Sequence, residues 1–298
     1  LNQISKKGNV MFQDILLIDA DSIYFRIAMV TTKKNEIRKG IKRTMDEIKK
    51  NCGVNDYMCA VKGEGNFRMR VDPNYKGHRK ALEPEVKAAV LYGLQHMIDE
   101  YNAVPAHDME ADDLVSIWAY EMMDAGREPT IVAIDKDLLQ IPGWHYNFVK
   151  KDPPRYVDVD EANRLLMMQC LTGDTADNIK GLKGIGPKKA EKILEGVPME
   201  RRWDKVKAAY REHKASNLES DYTLLKMLQS WPEYDNDILG KYPIIEESKP
   251  DEDSTSKFER EAAERKHYVP EEPSQDGSVQ EVSDGDPGRT EGNWVAIW

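Results

Sequence analysis

The stretch ILLIDADSIYF, residues 15–25, runs four apolar residues straight into two acids, Asp19 and Asp21. A second apolar run, TIVAI at 130–134, stops the same way at Asp135, with Asp137 two residues on. Apolar runs of this length bounded by polar residues read as buried strands, and YMCAV at 57–61 is a third. Between them the pattern is helical. PEVKAAVLYGLQHMIDEYN (84–102) opens on Pro, and ADDLVSIWAYEMMDAG (111–126) has an acidic first turn and ends at Gly. Strand and helix in alternation predict an α/β fold with a mainly parallel central sheet covered by helices on both faces. In such sheets ligands sit outside the carboxyl ends of the strands, which is where Asp19 and Asp135 fall.

After Gly143 the pattern changes. WHYNFV and RYVDV read as a short hairpin, followed by the helix DEANRLLMMQCL, and residues 172–231 are mostly helical and more basic. From Glu246 onward the chain carries fifteen Asp/Glu against six Lys/Arg, and that tail holds −9 of the net charge of −10. Few apolar residues and many Glu, Asp, Ser and Pro predict disorder there. Its end, NWVAIW, is an apolar hexamer open to three readings: docking on the body, binding a partner, or packing as an edge strand. The expected organisation is an N-terminal extension (1–13), an α/β core (14–150), a helical region (151–245) and the acidic tail (246–298).

A body this close to neutral can still present a basic face, so the charge does not exclude a nucleic-acid partner. No stretch approaches the ~20 apolar residues that a membrane span needs. The first residues lack an apolar signal-peptide core, and residues 1–10, ahead of Met11, read as dispensable. Three cysteines without metal-ligand spacing predict a reduced, cytoplasmic setting.

Acids gather in four clusters: Asp19; Glu110, Asp112 and Asp113 in MEADDL; Asp135 and Asp137 in IDKDLL; Asp174 and Asp177 in GDTADN. Each alone has a plain explanation. Asp112 and Asp113 favour a helix N-terminal dipole, and Asp177 suits a turn. Together they predict many carboxylates at one sheet edge, where like charges raise one another's pKa. Divalent cations relieve that repulsion, and oxygen ligands suit Mg²⁺ or Mn²⁺. Two such ions ~3.5–4 Å apart can activate a water and stabilise the leaving oxygen of a phosphodiester. IDADS also resembles the first motif of haloacid-dehalogenase-type phosphatases, whose first Asp attacks phosphate, and GDTADN resembles their last. That last motif should follow a strand, however, and LLMMQCLT reads as helix. The phosphatase reading also leaves MEADD without a role.

GLKGIGPKKAEKIL (181–194) decides between them. Gly184 and Gly186 leave backbone N–H groups open, Pro187 sets a first helical turn, and Lys188 and Lys189 add charge beside it. A phosphate can approach such a helix N-terminus. This is the pattern of a helix-hairpin-helix, spanning about 172–195, which holds duplex DNA by its backbone. With these motifs in order, residues 14–195 resemble the 5′ nucleases: phage 5′-3′ exonucleases, flap endonucleases and the 5′-nuclease domain of bacterial DNA polymerase I. The phage branch is the most similar.

The resemblance implies a PIN-like 5′ nuclease core and two metal sites. Asp19, Glu110, Asp112 and Asp113 would surround the first ion, and Asp135, Asp137, Asp174 and Asp177 the second. Arg26 matches a basic residue near the scissile phosphate, and K⁺ would sit at the Gly184–Gly186 turn. NFRMRVDPNYKGHRKAL (66–82) interleaves Phe67 and Tyr75 with Arg68, Arg70, Lys76, Arg79 and Lys80, a composition suited to a single strand. In the family it resembles the arch, about 63–83, that passes a 5′ strand, with Lys76 and Arg79 on the target phosphate and Arg68 and Tyr75 on DNA. One departure stands out. AVKGEGNFR lacks the family's Asp after the second strand; either Glu64, the nearest acid, reaches the first ion in its place or that ligand is missing.

The sequence therefore predicts a metal-dependent 5′-3′ DNA exonuclease with flap endonuclease capacity. Its substrates would be DNA with 5′ ends, flaps or nicks, and RNA–DNA hybrids are open. It would act in primer removal, recombination or host-DNA degradation, in the host cytoplasm if phage-encoded, with the tail contacting a replication protein. Two alternatives remain. One is a junction-binding protein with a decayed site, motivated by Glu64. The other is a PIN-type ribonuclease, although that fold normally lacks the helix-hairpin-helix.

Overall fold

The chain was analysed as a computed structural model that describes residues 14–244. The expected N-terminal extension and the acidic tail with its NWVAIW end lie outside the described residues. In chain order the elements are β1 (Leu16–Asp19), α1 (Asp21–Ala28), α2 (Lys34–Cys52), β2 (Tyr57–Lys62), α3 (Arg68–Val71), α4 (Pro84–Tyr101), β3 (Val104–Ala106), α5 (Ala111–Asp124) and β4 (Thr130–Val132). A 3₁₀ turn, Asp137–Gln140, leads to β5 (Gly143–Tyr146) and β6 (Arg155–Val157). Then come α6 (Val159–Thr172), α7 (Pro187–Leu194), α8 (Met199–Glu212), α9 (Leu218–Leu225) and α10 (Trp231–Glu233), which continues into the π-helix Tyr234–Leu239.

The six strands form one sheet in the order β3-β2-β1-β4-β5-β6. All neighbours are parallel except β5 and β6, which pair as an antiparallel hairpin. Both faces are covered, and β1 shows why its sequence has no polar alternation. Ile15 and Leu17 pack with α5, whereas Leu16 and Ile18 pack on the other face with α1, α2 and α4. All four are at most 3% exposed. A third core, built on Cys170, Leu171, Leu194 and Tyr210, holds α6 to α9 together. Residues 14–243 belong to one compact unit.

Strand order positions the site. The chain leaves β1 for β2 and β3 on one side and returns to β4 on the other. The carboxyl ends of β1 and β4 therefore lie side by side at a topological switch point, where such sheets open a crevice.

Candidate active site

Asp19 closes β1 and Asp135 follows β4, so the switch point places both acids at one edge. Asp19 is buried and accepts the Asp21 N–H at 3.2 Å. Burial, then the charges of Asp21 and Asp135, push its pKa well up. Asp21 opens α1 and accepts the Tyr24 hydroxyl at 2.6 Å and the Lys62 N–H at 2.8 Å. Burial raises it too. Asp135 accepts the Asp137 N–H at 2.9 Å. Its pKa is raised by desolvation first, with the Asp177 charge adding to it. Asp137, on the 3₁₀ turn, is pushed up to about 7 by burial and by Asp135 and Asp174.

The second group comes from α5, the segment 72–80 and the hairpin after α6. Glu110 precedes α5 and accepts from Tyr75 Oη at 3.0 Å, from Asn66 Nδ2 at 3.1 Å, and from the Lys76 ammonium. Burial works to raise its pKa, but Lys76 and Arg68 outweigh that and hold it low. At Asp112 burial, with the charges of Glu110 and Asp113, outweighs the same two cations and pushes the pKa well up. Asp174 is buried, accepts the Ala176 N–H at 2.7 Å and faces Lys136 at 3.3 Å. Asp177 meets Tyr75 Oη at 3.0 Å, Arg79 Nη2 at 2.8 Å and Lys76 Nζ at 3.7 Å. Lys76 thus bridges two of the acid clusters. Its backbone is left-handed, φ +54°, and its N–H donates to the Asp177 carbonyl at 3.0 Å. A non-glycine residue held there carries local strain of about 1 kcal/mol or more, as functional segments often do.

Three sequence expectations, those for Arg68, Asp113 and Tyr75, are corrected by this geometry. Arg68 is fully buried and cannot touch DNA. It forks onto Asp113, with Nη2 to Oδ1 at 2.9 Å, and its Nε donates to the Leu224 carbonyl at 2.8 Å. Asp113 is equally buried and also accepts the Glu110 N–H at 3.1 Å and the Leu228 N–H at 3.3 Å. Its carboxylate is fully engaged inside the fold, so it is a structural partner rather than a metal ligand. Tyr75 is 2% exposed, and its ring is unavailable for stacking on a base. Glu64 is exposed, and the fold uses its carbonyl, which accepts the Asp108 N–H at 2.7 Å. The acid missed by sequence reasoning is Asp21, bonded to the end of β2 where Glu64 was expected to serve. The available signal was its place two residues after Asp19. Arg26 lies in the last turn of α1 and is half-buried.

Between α6 and α7 the chain makes a tight hairpin in which Asp174 and Ile179 exchange backbone hydrogen bonds at 2.9 and 2.7 Å. Gly173 and Gly181 cross there with positive φ, and a Cβ on Gly181 would stand 2.2 Å from the Gly173 nitrogen. Gly184, Gly186, Lys188 and Lys189 are exposed at the start of α7. Lys189 Nζ donates to the Gly184 carbonyl at 2.8 Å, so a K⁺ ion would compete with this ammonium for that oxygen.

Among the described residues, no three carboxylates converge closely enough to hold an ion as they stand. Lys76 and Arg79 instead draw on Glu110 and Asp177. The donor chemistry nevertheless fits Mg²⁺ or Mn²⁺. The donors are hard oxygens, and Asp19, Asp21, Asp112, Asp135 and Asp137 all have pKa values raised by burial and crowding that a divalent cation would relieve.

Comparison with known proteins agrees with this architecture. Residues 14–165, just over half of the chain, match the family described as 5′-3′ exonuclease, N-terminal resolvase-like domain. DNA polymerase I of Rhizobium leguminosarum is 33% identical over 140 residues, 43% of this chain and 14% of the polymerase. Flap endonuclease Xni of Shewanella amazonensis is 29% identical over 189 residues, 59% of this chain and 68% of that enzyme. The crystal structure of the T5 D15 protein co-crystallised with metal ions has 17% identity and a TM-score of 0.57, covering 77% of this chain and 97% of that one. The bacteriophage T5 D15 flap endonuclease in a pseudo-enzyme-product complex with DNA and metal ions gives 0.56 at 16% identity, with 77% and 96% covered. At those identities the likeness is one of fold. The strand-end acids, the sheet order and the match over residues 14–165 lead to one conclusion: the chain belongs to the 5′-3′ exonuclease family.

Proposed function

We propose that the chain is a divalent-metal-dependent 5′-3′ DNA exonuclease with structure-specific flap endonuclease activity. The observation that carries this reading is the meeting of strand-end, helix-start and hairpin acids at the β1/β4 switch point, with Lys76 and Arg79 lying over them. Asp19, Asp21, Glu110 and Asp112 would hold one ion, and Asp135, Asp137, Asp174 and Asp177 a second. Bound Mg²⁺ or Mn²⁺ would supply an activated water and stabilise the leaving oxygen of the phosphodiester. Lys76, Arg79 and Arg26 bind and orient the target phosphate, leaving a 5′-phosphate on the downstream fragment.

The segment from α6 to α7 acts as a helix-hairpin-helix. The open turn at Gly184–Gly186 and Lys188 meet the duplex backbone, which fixes register without reading sequence. The residues between about 63 and 83 border the path of the free 5′ strand, with Lys80 rather than Arg68 or Tyr75 among its DNA contacts. Lys80 is exposed, as that role requires. The T5 relative bound to DNA and metal ions supports the same substrate class. RNA–DNA hybrids fit the backbone-directed contacts, and the acidic tail is assigned to contact with a replication protein.

The test is a 5′-labelled flap and a nicked duplex incubated with Mg²⁺, Mn²⁺ or EDTA. Short 5′ products in either metal and none in EDTA are expected, and their sizes separate exonuclease from flap cutting. Binding without cleavage in both metals would refute this reading and favour a junction-binding protein.

A further inference from the structure

Gln169 and Gln140 lie behind the acid cluster and have no part in the reaction described above. Gln169, on α6, is 4% exposed, and Gln140, at the end of the 3₁₀ turn, is 7% exposed. Gln169 Nε2 donates to Asp137 Oδ1 at 2.7 Å. Gln140 Nε2 donates to Gln169 Oε1 and to the Leu225 carbonyl, both at 2.8 Å. The Met227 N–H donates to Gln140 Oε1 at 3.2 Å. The far end of this relay fixes its polarity. A carbonyl acceptor and an N–H donor can both be satisfied by Gln140 in one orientation only. Gln169 must then turn its oxygen to Gln140 and its amide N–H to Asp137.

Asp137 needs such support because it stands on a four-residue 3₁₀ turn whose start has no side-chain cap. The anchor is firm. Residues 224–228 are also gripped by Arg68, through the Leu224 carbonyl, and by Asp113, through the Leu228 N–H. Buried amides with every partner satisfied hold one geometry, and partners behind a metal ligand set its orientation.

We propose that Gln169 is the positioning residue of Asp137, holding Oδ1 so that Oδ2 is offered to the cation, and that Gln140 ties this orientation to the Leu225–Met227 segment. The inference rests on the metal-nuclease reading. It makes the carboxylate geometry of the second site depend on the helices that follow the α/β core.

The experiment is Mn²⁺ titration calorimetry on the full chain for wild type, Gln169→Met, Gln140→Met, Asp137→Asn and the Gln169→Met/Asp137→Asn double variant. Thermal melts, and flap affinity in EDTA, are measured for each. Expected for Gln169→Met is a loss of roughly tenfold or more in Mn²⁺ affinity at one site, with flap affinity in EDTA unchanged. Gln140→Met shifts the affinity the same way by less. In the Asp137→Asn background Gln169→Met changes nothing further, because the two residues act as one unit. An equal loss in both backgrounds, or no loss in the native one, overturns the proposal. If Gln169→Met does not fold, the same cycle run with Gln140→Met decides in its place. A wild-type chain that binds no Mn²⁺ overturns it as well. Flap cleavage by the wild type separates the two readings. Cleavage with an unchanged Gln169→Met affinity overturns this inference alone. Mn²⁺ binding without cleavage, with the cycle non-additive, supports it and overturns the nuclease.

Discussion

Arg68 illustrates what a single residue's neighbours in sequence conceal. In NFRMRVDP it is indistinguishable from an exposed basic side chain, since its partner Asp113 is 45 residues away and no local pattern announces the pair. Tyr75 reads as a stacking group for the same reason, its hydroxyl partners being 35 and 102 residues distant. The places of Asp19 and Asp135 were legible because each follows an apolar run, with Asp137 two residues beyond the second, and a strand end in a parallel sheet has a fixed relation to the crevice. Asp21 was visible as an acid but not as a site member, because its link to β2 runs through the Lys62 backbone. A consequence belongs at this scale. Arg68→Met leaves Asp113 buried without its cation and should cost about 3–5 kcal/mol of folding stability, measured by chemical denaturation. A loss below about 1 kcal/mol would show that the pair is not the buried tie described here.

Among the elements, periodicity and termini carried most of the information. The long helices α4 and α5 were legible from Pro84, the acidic turn at Asp112 and the glycine at 126. Strand β3 was not, because three residues including Pro105 give no pattern, and Pro is tolerated there only because β3 lies at the sheet edge. The hairpin after α6 depends on two glycines rather than on propensity. Gly181→Ala forces a Cβ against the Gly173 backbone at positive φ. It should destabilise the chain by about 2 kcal/mol or more and weaken Mn²⁺ binding by shifting Asp174 and Asp177. An alanine variant with wild-type melting and metal affinity would contradict that. The turn at Gly184–Gly186 makes a separable claim. Lys188→Ala/Lys189→Ala should leave the melting temperature unchanged, weaken duplex binding regardless of sequence, and flatten the dependence of log K on log salt by about 2. An unchanged slope would remove this turn from the DNA interface.

At the scale of the whole molecule, the site is a reservoir of electrostatic cost that metal binding should relieve. Asp137 titrates at about 7 in the fold against an ordinary 3.8, so the folded state favours its protonated form. Its stabilising contribution is complete below about 4 and is lost as pH rises through 7. Asp19 and Asp112 act in the same direction. Without divalent metal, stability should therefore fall between pH 5 and 8 by an amount on the order of a few kcal/mol, partly offset by solvent around the more open acids. Mg²⁺ or Mn²⁺ should raise the melting temperature more at pH 8 than at pH 5.5, and equal shifts at the two pH values would contradict the crowding of these acids. The central claim is tested most directly by cleavage of a 5′-labelled flap in Mg²⁺ by the native chain and by Asp135→Asn/Asp137→Asn. Short 5′ products from the native chain, lost in the variant while flap affinity in EDTA stays within about twofold, are the expected result. Equal cleavage by both proteins would contradict the assignment of these strand-end acids as the catalytic metal site.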